Sequence, residues 1–286
     1  MINNLNAHTV NWNCPSIENR APLPSLTQET IASFTNIDAV KKIMEHTMRT
    51  SAKSHYILPV WQNIESIALG THILNENRYF TPSEYCIEAL EDIKGIDFDF
   101  SCDPLIQTVV KTIPYYKDKP LILEIEAPFS ILAALMNPLN LYLYFEDNPI
   151  LLTEILHKIA DASAKYIQNC IAAGCRIFSL ADPVGTLNLI GEKYYTSICG
   201  RSEIYLMKKC IPFLNHAVIH ICQKMSQSLV IADLAKAELY KLPQSTKDYI
   251  EALLYMADNP AISFTGMTCI HNSKPNLTNS YTLYIK

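Results

Sequence analysis

The stretch LILEIE, residues 121–126, lies between Pro120 and Pro128 and consists mostly of branched apolar side chains. Such continuous apolar character is typical of a strand in a parallel sheet that is covered on both faces. Further strands are predicted from YILPV (56–60), RIFSLADP (176–183), AVIHIC (217–222) and AISFTG (261–266). The segment at 121–126 is therefore predicted to be a buried strand of a parallel sheet.

Amphipathic helical patterns separate these strands along the chain. The predicted helices are PSEYCIEALEDI (82–93), PLIQTVVKTI (104–113), a long helix from near Pro149 to Gly174, EKYYTSICGRSEIYLMKKCIPFL (192–214) and TKDYIEALLYMA (246–257). Regular alternation of strand and helix favours an α/β fold built from parallel β/α units. We predict an N-terminal arm at residues 1–25, rich in proline, and a single β/α domain at residues 26–286.

The composition excludes several classes of protein. Of 286 residues, 49% are hydrophobic and 18% are charged, and the formal net charge is −5. A globular chain without a basic block is not expected to bind nucleic acid or an acidic membrane surface. No apolar run reaches the ~18 residues of a membrane span, and the polar N-terminus does not resemble a signal peptide. We therefore expect a cytoplasmic protein whose nine cysteines are mostly reduced and buried.

Polar residues and soft metal ligands collect where the predicted strands end. In β/α folds the loops at the carboxyl ends of the strands open onto one face, where ligands bind. Gln62, Asn63 and Glu65 follow the first predicted strand. The corresponding residues of the later strands are Glu124, Glu126, Asp182, His220, Cys222 and Cys269.

Three of these residues could form a zinc site. Side chains at i and i+2 of a strand point the same way, so His220 and Cys222 can reach one ion, and the next strand brings Cys269 alongside. A catalytic zinc commonly has three such protein ligands and one open position. His271 is a possible additional ligand. A packed histidine beside a buried thiol explains the same spacing, so both interpretations remain open at this point.

The carboxylates also have two interpretations each. Asp182 could line a binding site, or it could cap the helix that follows Pro183. Glu124 and Glu126 share one face of their strand, and an unpaired buried carboxylate is costly. They are therefore expected either to line a polar pocket, which we favour, or to form structural ion pairs.

The order of four motifs resembles a known superfamily. LILEIEAPFSILAALMNPLNLY (121–142), AAGCRIFSLADPVG (172–185), VIHICQK (218–224) and FTGMTCIHN (264–272) look like the uroporphyrinogen decarboxylase superfamily. Within it, they resemble the cobalamin-dependent methyltransferases that include the methylcobamide:coenzyme M enzymes. The resemblance implies a TIM-type (βα)₈ barrel, here with a shortened or remodelled N-terminal part.

The same resemblance implies an activity. It implies zinc bound by His220, Cys222 and Cys269, and transfer of a methyl group from a cobalamin (corrinoid) donor, held by a corrinoid protein, to a small thiol. Asp182 and Glu126 would orient the acceptor. The alternatives are a decarboxylase-like tetrapyrrole enzyme and a non-catalytic barrel that binds a corrinoid protein.

Overall fold

The computed structural model describes residues 34–50, 55–58, 63–76, 79–96, 98–271 and 277–286. The predicted arm at residues 1–25 lies outside these ranges, as does Cys14. Nine strands occur in the described part of the chain. They are β1 (Tyr56–Leu58), β2 (His72–Glu76), β3 (Tyr79–Glu84), β4 (Leu121–Glu126), β5 (Ile177–Ala181), β6 (Val218–Ile221), β7 (Ala235–Lys241), β8 (Phe264–Thr265) and β9 (Asn279–Ile285).

Most of the strands form one mixed sheet in the order β1-β4-β5-β6-β8-β9-β7. The first five strands of this order are parallel, and β9 pairs antiparallel with both β8 and β7. A separate hairpin joins β2 and β3. No hydrogen-bonded ladder joins β1 to β7 among the described residues. The predicted α/β class with a parallel sheet is confirmed.

Helices connect the strands and cover the sheet. They are α1 (Ile37–Thr50), α2 (Ile64–Ala68), α3 (Pro104–Thr112), α4 (Pro128–Leu135), α5 (Pro138–Asp147), α6 (Pro149–Ala172), α7 (Leu187–Ile190), α8 (Glu192–Tyr194), α9 (Gly200–Cys210), α10 (Gln223–Ile231) and α11 (Tyr249–Ala257). The long helix begins at Pro149, as predicted, with the Asn148 side chain accepting from Leu151 N. It is followed by Gly174 at φ 107°, a conformation that favours glycine.

The outer face of the sheet packs against this helical layer. Successive strand residues point to opposite faces, so Leu123, Ile125, Phe178 and Leu180 all point outward. They are buried in one cluster with apolar residues of α4, α6 and α9. The helices thus cover one face of β4, β5 and β6, as expected for parallel β/α units.

The inner face has a different cover. Ile122, Ile177 and Val218 are neighbours in register on β4, β5 and β6. They form a second buried cluster with residues of α11, including Leu253. A helix near the end of the chain therefore packs on the inner side of the sheet.

Four elements differ from the sequence-based expectation. The predicted helix at 82–93 is wrong, because residues 79–84 pair with β2 in the hairpin and a 3₁₀ turn follows at Leu90–Gly95. The predicted strand at 261–266 is reduced to the two residues of β8. The antiparallel strands β7 and β9 were not predicted. In the sheet, β8 lies directly beside β6, and β9 lies between β8 and β7.

Candidate functional site

The inner face carries two rows of polar side chains above the apolar cluster. Register pairs Glu124 with Ser179, Ser179 with His220, and His220 with Thr265, so these four side chains lie at one level. Glu126 lies one level closer to the carboxyl ends of the strands. The structure thus places Glu124, Glu126 and His220 on one face, as the sequence predicted.

His220 is held by two hydrogen bonds in the protein interior. Its side chain is 1% exposed, and Nε2 lies 2.8 Å from the Thr268 carbonyl oxygen. A carbonyl only accepts, so Nε2 carries the proton and Nδ1 is left to accept from the Ser179 hydroxyl at 3.4 Å. Burial lowers the pKa of His220 to about 4. The imidazole is therefore neutral at physiological pH.

The two candidate cysteine ligands lie at the ends of neighbouring strands. Cys222 follows β6 directly, is half-buried, and its backbone N–H donates to Leu180 O at 2.8 Å. Cys269 is buried four residues after β8. Among the residues that the structure describes, no three His, Cys, Asp or Glu side chains converge closely enough to hold a metal ion. The donor types suit zinc, but the present arrangement does not assemble them around one point.

His271, the possible additional ligand, has another partner. Its Nε2 lies 3.0 Å from a carboxylate oxygen of Glu124, and both side chains are largely buried. Glu124 is therefore in contact with His271 across the inner face, and the two form an ion pair only when His271 is protonated.

Glu126 lies in a buried polar cluster formed with helix α2. Its carboxylate accepts from Asn63 Nδ2 at 2.6 Å and from the Ser66 hydroxyl at 2.8 Å. Its backbone N–H donates to a carboxylate oxygen of Glu65 at 3.3 Å. Burial raises the pKa of Glu126 to about 7, and the charge of Asp182 adds to this effect. The hydrogen bonds from Ser66 and Asn63 lower the pKa but do not cancel the rise. Glu126 can consequently exchange a proton near neutral pH.

Glu65 also belongs to the site. The sequence placed it just after the first predicted strand but did not mark it as a candidate site residue. It is buried, and burial together with the nearby Glu126 carboxylate raises its pKa well above the ordinary value. The polar run of Asn63 and Glu65 after the first strand was the available signal. Only the folded chain shows that this run reaches across to the end of β4.

Asp182 organises the loop after β5. Its Oδ1 accepts from the Ser130 hydroxyl at 2.6 Å and from Gly185 N at 2.7 Å. The contact with Gly185 closes a turn within the loop, whereas the N-cap residue of the following helix α7 is Thr186, so Asp182 does not cap that helix. The contact with Ser130 ties the loop to α4. Burial raises the pKa of Asp182 to about 6, against the opposing effect of these hydrogen bonds.

Two buried residues near Asp182 were not predicted. Glu203 is fully buried in α9, and one of its oxygens accepts from the Tyr195 hydroxyl at 2.6 Å. Tyr195 begins a short π-helical segment, Tyr195–Cys199. No sequence signal distinguishes Glu203 from the solvated charged residues of an amphipathic helix.

Comparisons with known proteins point to one family. The family described as uroporphyrinogen decarboxylase matches residues 75–247. A solved structure of a methyltransferase from Methanosarcina mazei has a TM-score of 0.55 and 17% sequence identity to the chain, covering 75% of this chain and 70% of that one. A search of curated proteins finds no significant match. No helix in the described part of the chain is long and apolar enough to cross a bilayer.

Proposed function

Because the chain belongs to the uroporphyrinogen decarboxylase family, whose fold is a TIM barrel, we propose that it is a methyltransferase of that fold. The proposed reaction moves a methyl group from a methylated corrinoid, carried by a corrinoid protein, to a small thiol acceptor. A methyltransferase among its structural neighbours supports the general activity. The donor, the acceptor and the metal are the finer parts of the proposal.

The observation that carries the proposal is the position of two candidate ligands at the carboxyl end of β6. His220 and Cys222 lie at the carboxyl end of a parallel strand, and Cys269 follows the neighbouring strand β8. Active sites of β/α barrels form at this end of the strands. The set of one imidazole and two thiolates is one that zinc prefers.

A zinc ion held by His220, Cys222 and Cys269 would keep a bound acceptor thiol deprotonated, and hence nucleophilic, at neutral pH. His220 is neutral, as a ligand must be, and because Nε2 donates its proton to Thr268 O, Nδ1 is the nitrogen that could bind a metal. Since no metal-binding group converges among the described residues, zinc binding requires the three ligands to move together.

Glu126 has the properties of a group that orients the acceptor. Its carboxyl is held by Asn63 and Ser66, so its direction is fixed, and its pKa of about 7 lets it accept or donate a proton. Asp182, whose charge acts on Glu126, would fix the neighbouring loop beside the acceptor.

Two other functions have specific support. Decarboxylation of a tetrapyrrole is favoured by the description of the matching family. A substrate with several carboxylates needs cationic partners, whereas Glu124, Glu126 and Asp182 are acids. A non-catalytic barrel that binds a corrinoid protein is favoured by the lack of a converged metal group among the described residues.

Metal content separates these possibilities. The full chain, purified under reducing conditions and supplemented with zinc, is expected to hold about one zinc ion per molecule. Cys269→Ser should lose it, while two control variants, Cys102→Ser at an exposed position and Cys210→Ser at a buried one, should retain it.

Methyl transfer is then measured as the loss of methylcobalamin in the presence of candidate thiols. Zinc binding with thiol-dependent demethylation supports the proposal. A protein without zinc that binds a porphyrinogen indicates the decarboxylase, and one that binds only a corrinoid protein indicates the non-catalytic barrel.

A further inference from the structure

Helix α10 begins directly after Cys222 and carries two buried serines. Ser226 and Ser228 are each 0% exposed. The Ser226 hydroxyl donates to Gln223 O at 3.0 Å. The Ser228 hydroxyl donates in the same way to Lys224 O at 2.8 Å. Because a hydroxyl has one proton and two lone pairs, both serine oxygens can still accept a hydrogen bond from another element.

Ser226 binds the loop that carries Cys269. The backbone N–H of Met267 donates to Ser226 Oγ at 2.8 Å. Met267 has a φ of 66°, a left-handed conformation that is costly for a residue with a side chain and persists only where the surroundings hold it. The loop also approaches the helix closely, since a Cβ added at Gly266 would lie 2.7 Å from Ser226 Cβ. The loop at residues 266–269 is therefore fixed to the helix that follows Cys222.

The same loop orients His220. The carbonyl oxygen of Thr268 accepts the Nε2 proton of His220 at 2.8 Å, which leaves Nδ1 as the nitrogen that could bind a metal. A histidine ligand is commonly oriented by such a hydrogen bond from its other ring nitrogen. Through one loop, the Ser226 hydroxyl thus acts on His220 and on Cys269.

Ser228 has the matching contact with a different loop. Its oxygen accepts from Leu187 N at 3.1 Å. Leu187 is the first residue of α7, so its N–H has no partner within that helix. Ser228 thus fixes the segment that follows the Asp182 loop, and it does not bind the loop of Cys269.

We propose that Ser226 is a positioning residue for the candidate metal site, which it serves by fixing the loop at residues 266–269 to α10. The inference rests on the proposed function, because it takes His220, Cys222 and Cys269 as the ligands. These ligands must move together to meet one ion. A hydrogen bond between the loop and the helix that follows Cys222 lets their carriers move as one body.

Hydrogen exchange of the metal-free full chain, measured by mass spectrometry in the presence of a chelator, tests the link. Ser226→Ala leaves the Met267 N–H without its acceptor, so exchange within residues 264–270 should accelerate roughly 5- to 30-fold. Residues 185–190 should keep the wild-type rate. Ser228→Ala, at the same burial in the same helix, should show the reverse pattern, because it removes the acceptor of Leu187 N.

A second variant disturbs the same contact from the loop. Gly266→Ala places a methyl group against Ser226 and should also accelerate exchange within residues 264–270 more than within residues 185–190. Equal acceleration of both segments in Ser226→Ala would indicate a general loss of stability. Unchanged exchange would show that the loop holds its place without the serine. Either result overturns the inference.

Zinc affinity, measured by competition with a chelating indicator, connects the loop to the site. A loop that is held less firmly loses more freedom when its residues bind a metal, so the Kd of Ser226→Ala for zinc should rise roughly 3- to 10-fold. Ser228→Ala should keep the wild-type affinity. Equal affinity of Ser226→Ala and the wild type would overturn the positioning role. A wild-type chain that binds no zinc would refute the proposed function, and the exchange pattern would still decide whether Ser226 fixes the loop.

Discussion

Replacement of Glu126 by glutamine should change how the stability of the protein depends on pH. Glu126 is 7% exposed, and its pKa rises from an ordinary value of 4.5 to about 7. Because the folded state holds this proton more tightly than the unfolded state, its favourable contribution is complete below about pH 4.5 and is lost as pH rises to about 7. This rise in pKa corresponds to roughly 3 kcal/mol in the free energy of unfolding, at about 1.4 kcal/mol per pKa unit.

Glutamine keeps the shape of the side chain and cannot ionise. Its carbonyl oxygen can accept from Asn63, and its amide can donate to the Ser66 hydroxyl, which is able to rotate and accept. Between about pH 5 and about pH 8, the free energy of unfolding of Glu126→Gln should therefore fall by roughly 3 kcal/mol less than that of the wild type. Glu65 and Asp182, which also have raised pKa values, should still cause a smaller decline in the variant.

Urea unfolding followed by circular dichroism across this pH range measures the effect. The control is Glu154→Gln, which removes an exposed carboxylate from α6 and should leave the pH dependence unchanged. If Glu126→Gln loses stability with pH as steeply as the wild type, Glu126 does not hold its proton near neutrality. Its proposed part in proton exchange with the acceptor would then be withdrawn.

Three further changes probe the elements that position the site. Gly185→Ala should destabilise the chain by about 1–3 kcal/mol in thermal unfolding, because the new Cβ would lie 2.5–2.6 Å from the Asp182 carboxylate; no loss would show that the loop adjusts freely. Asn148→Ala should cost about 1 kcal/mol in urea unfolding, since the cap to Leu151 N at the start of α6 is removed; an unchanged midpoint would contradict this role. Phe178→Ala should lower the free energy of unfolding by about 3–5 kcal/mol in urea unfolding, because a cavity is left between the sheet and the outer helices. A loss below about 1 kcal/mol would indicate that neighbouring side chains fill this cavity.

The sequence predicted the parallel part of the fold because its signals are local. The bounds of β4 at 121–126 follow from a buried apolar run between prolines, and the start of α6 follows from Pro149. The hairpin of β2 and β3 was missed because residues 82–93 have helical spacing, and pairing with a neighbouring strand overrode that preference. The antiparallel placement of β9 depends on contacts between distant segments, which periodicity does not reveal.

In the site, too, local sequence signals predicted some features, and tertiary contacts determined the others. Register along parallel strands brought Glu124, Glu126 and His220 to one face, as alternation within each strand predicted. The partner of each group depends on tertiary contacts: Glu126 is bound by α2, more than 50 residues earlier in the chain. Glu203 was missed for the same reason, because only packing turns a charged residue of α9 inward.

The helix on the inner face has a consequence for synthesis of the chain. Ile122 emerges from the ribosome about 127 residues before Tyr249, the first residue of the helix that covers it. At a translation rate of roughly 5–20 residues per second, the apolar inner side of β4 remains uncovered for on the order of 6–25 s before α11 is synthesised. During that interval the nascent chain presents an uncovered sheet surface of the kind that chaperones bind. Its yield in cells should thus depend more on protection during translation than the stability of the finished fold suggests.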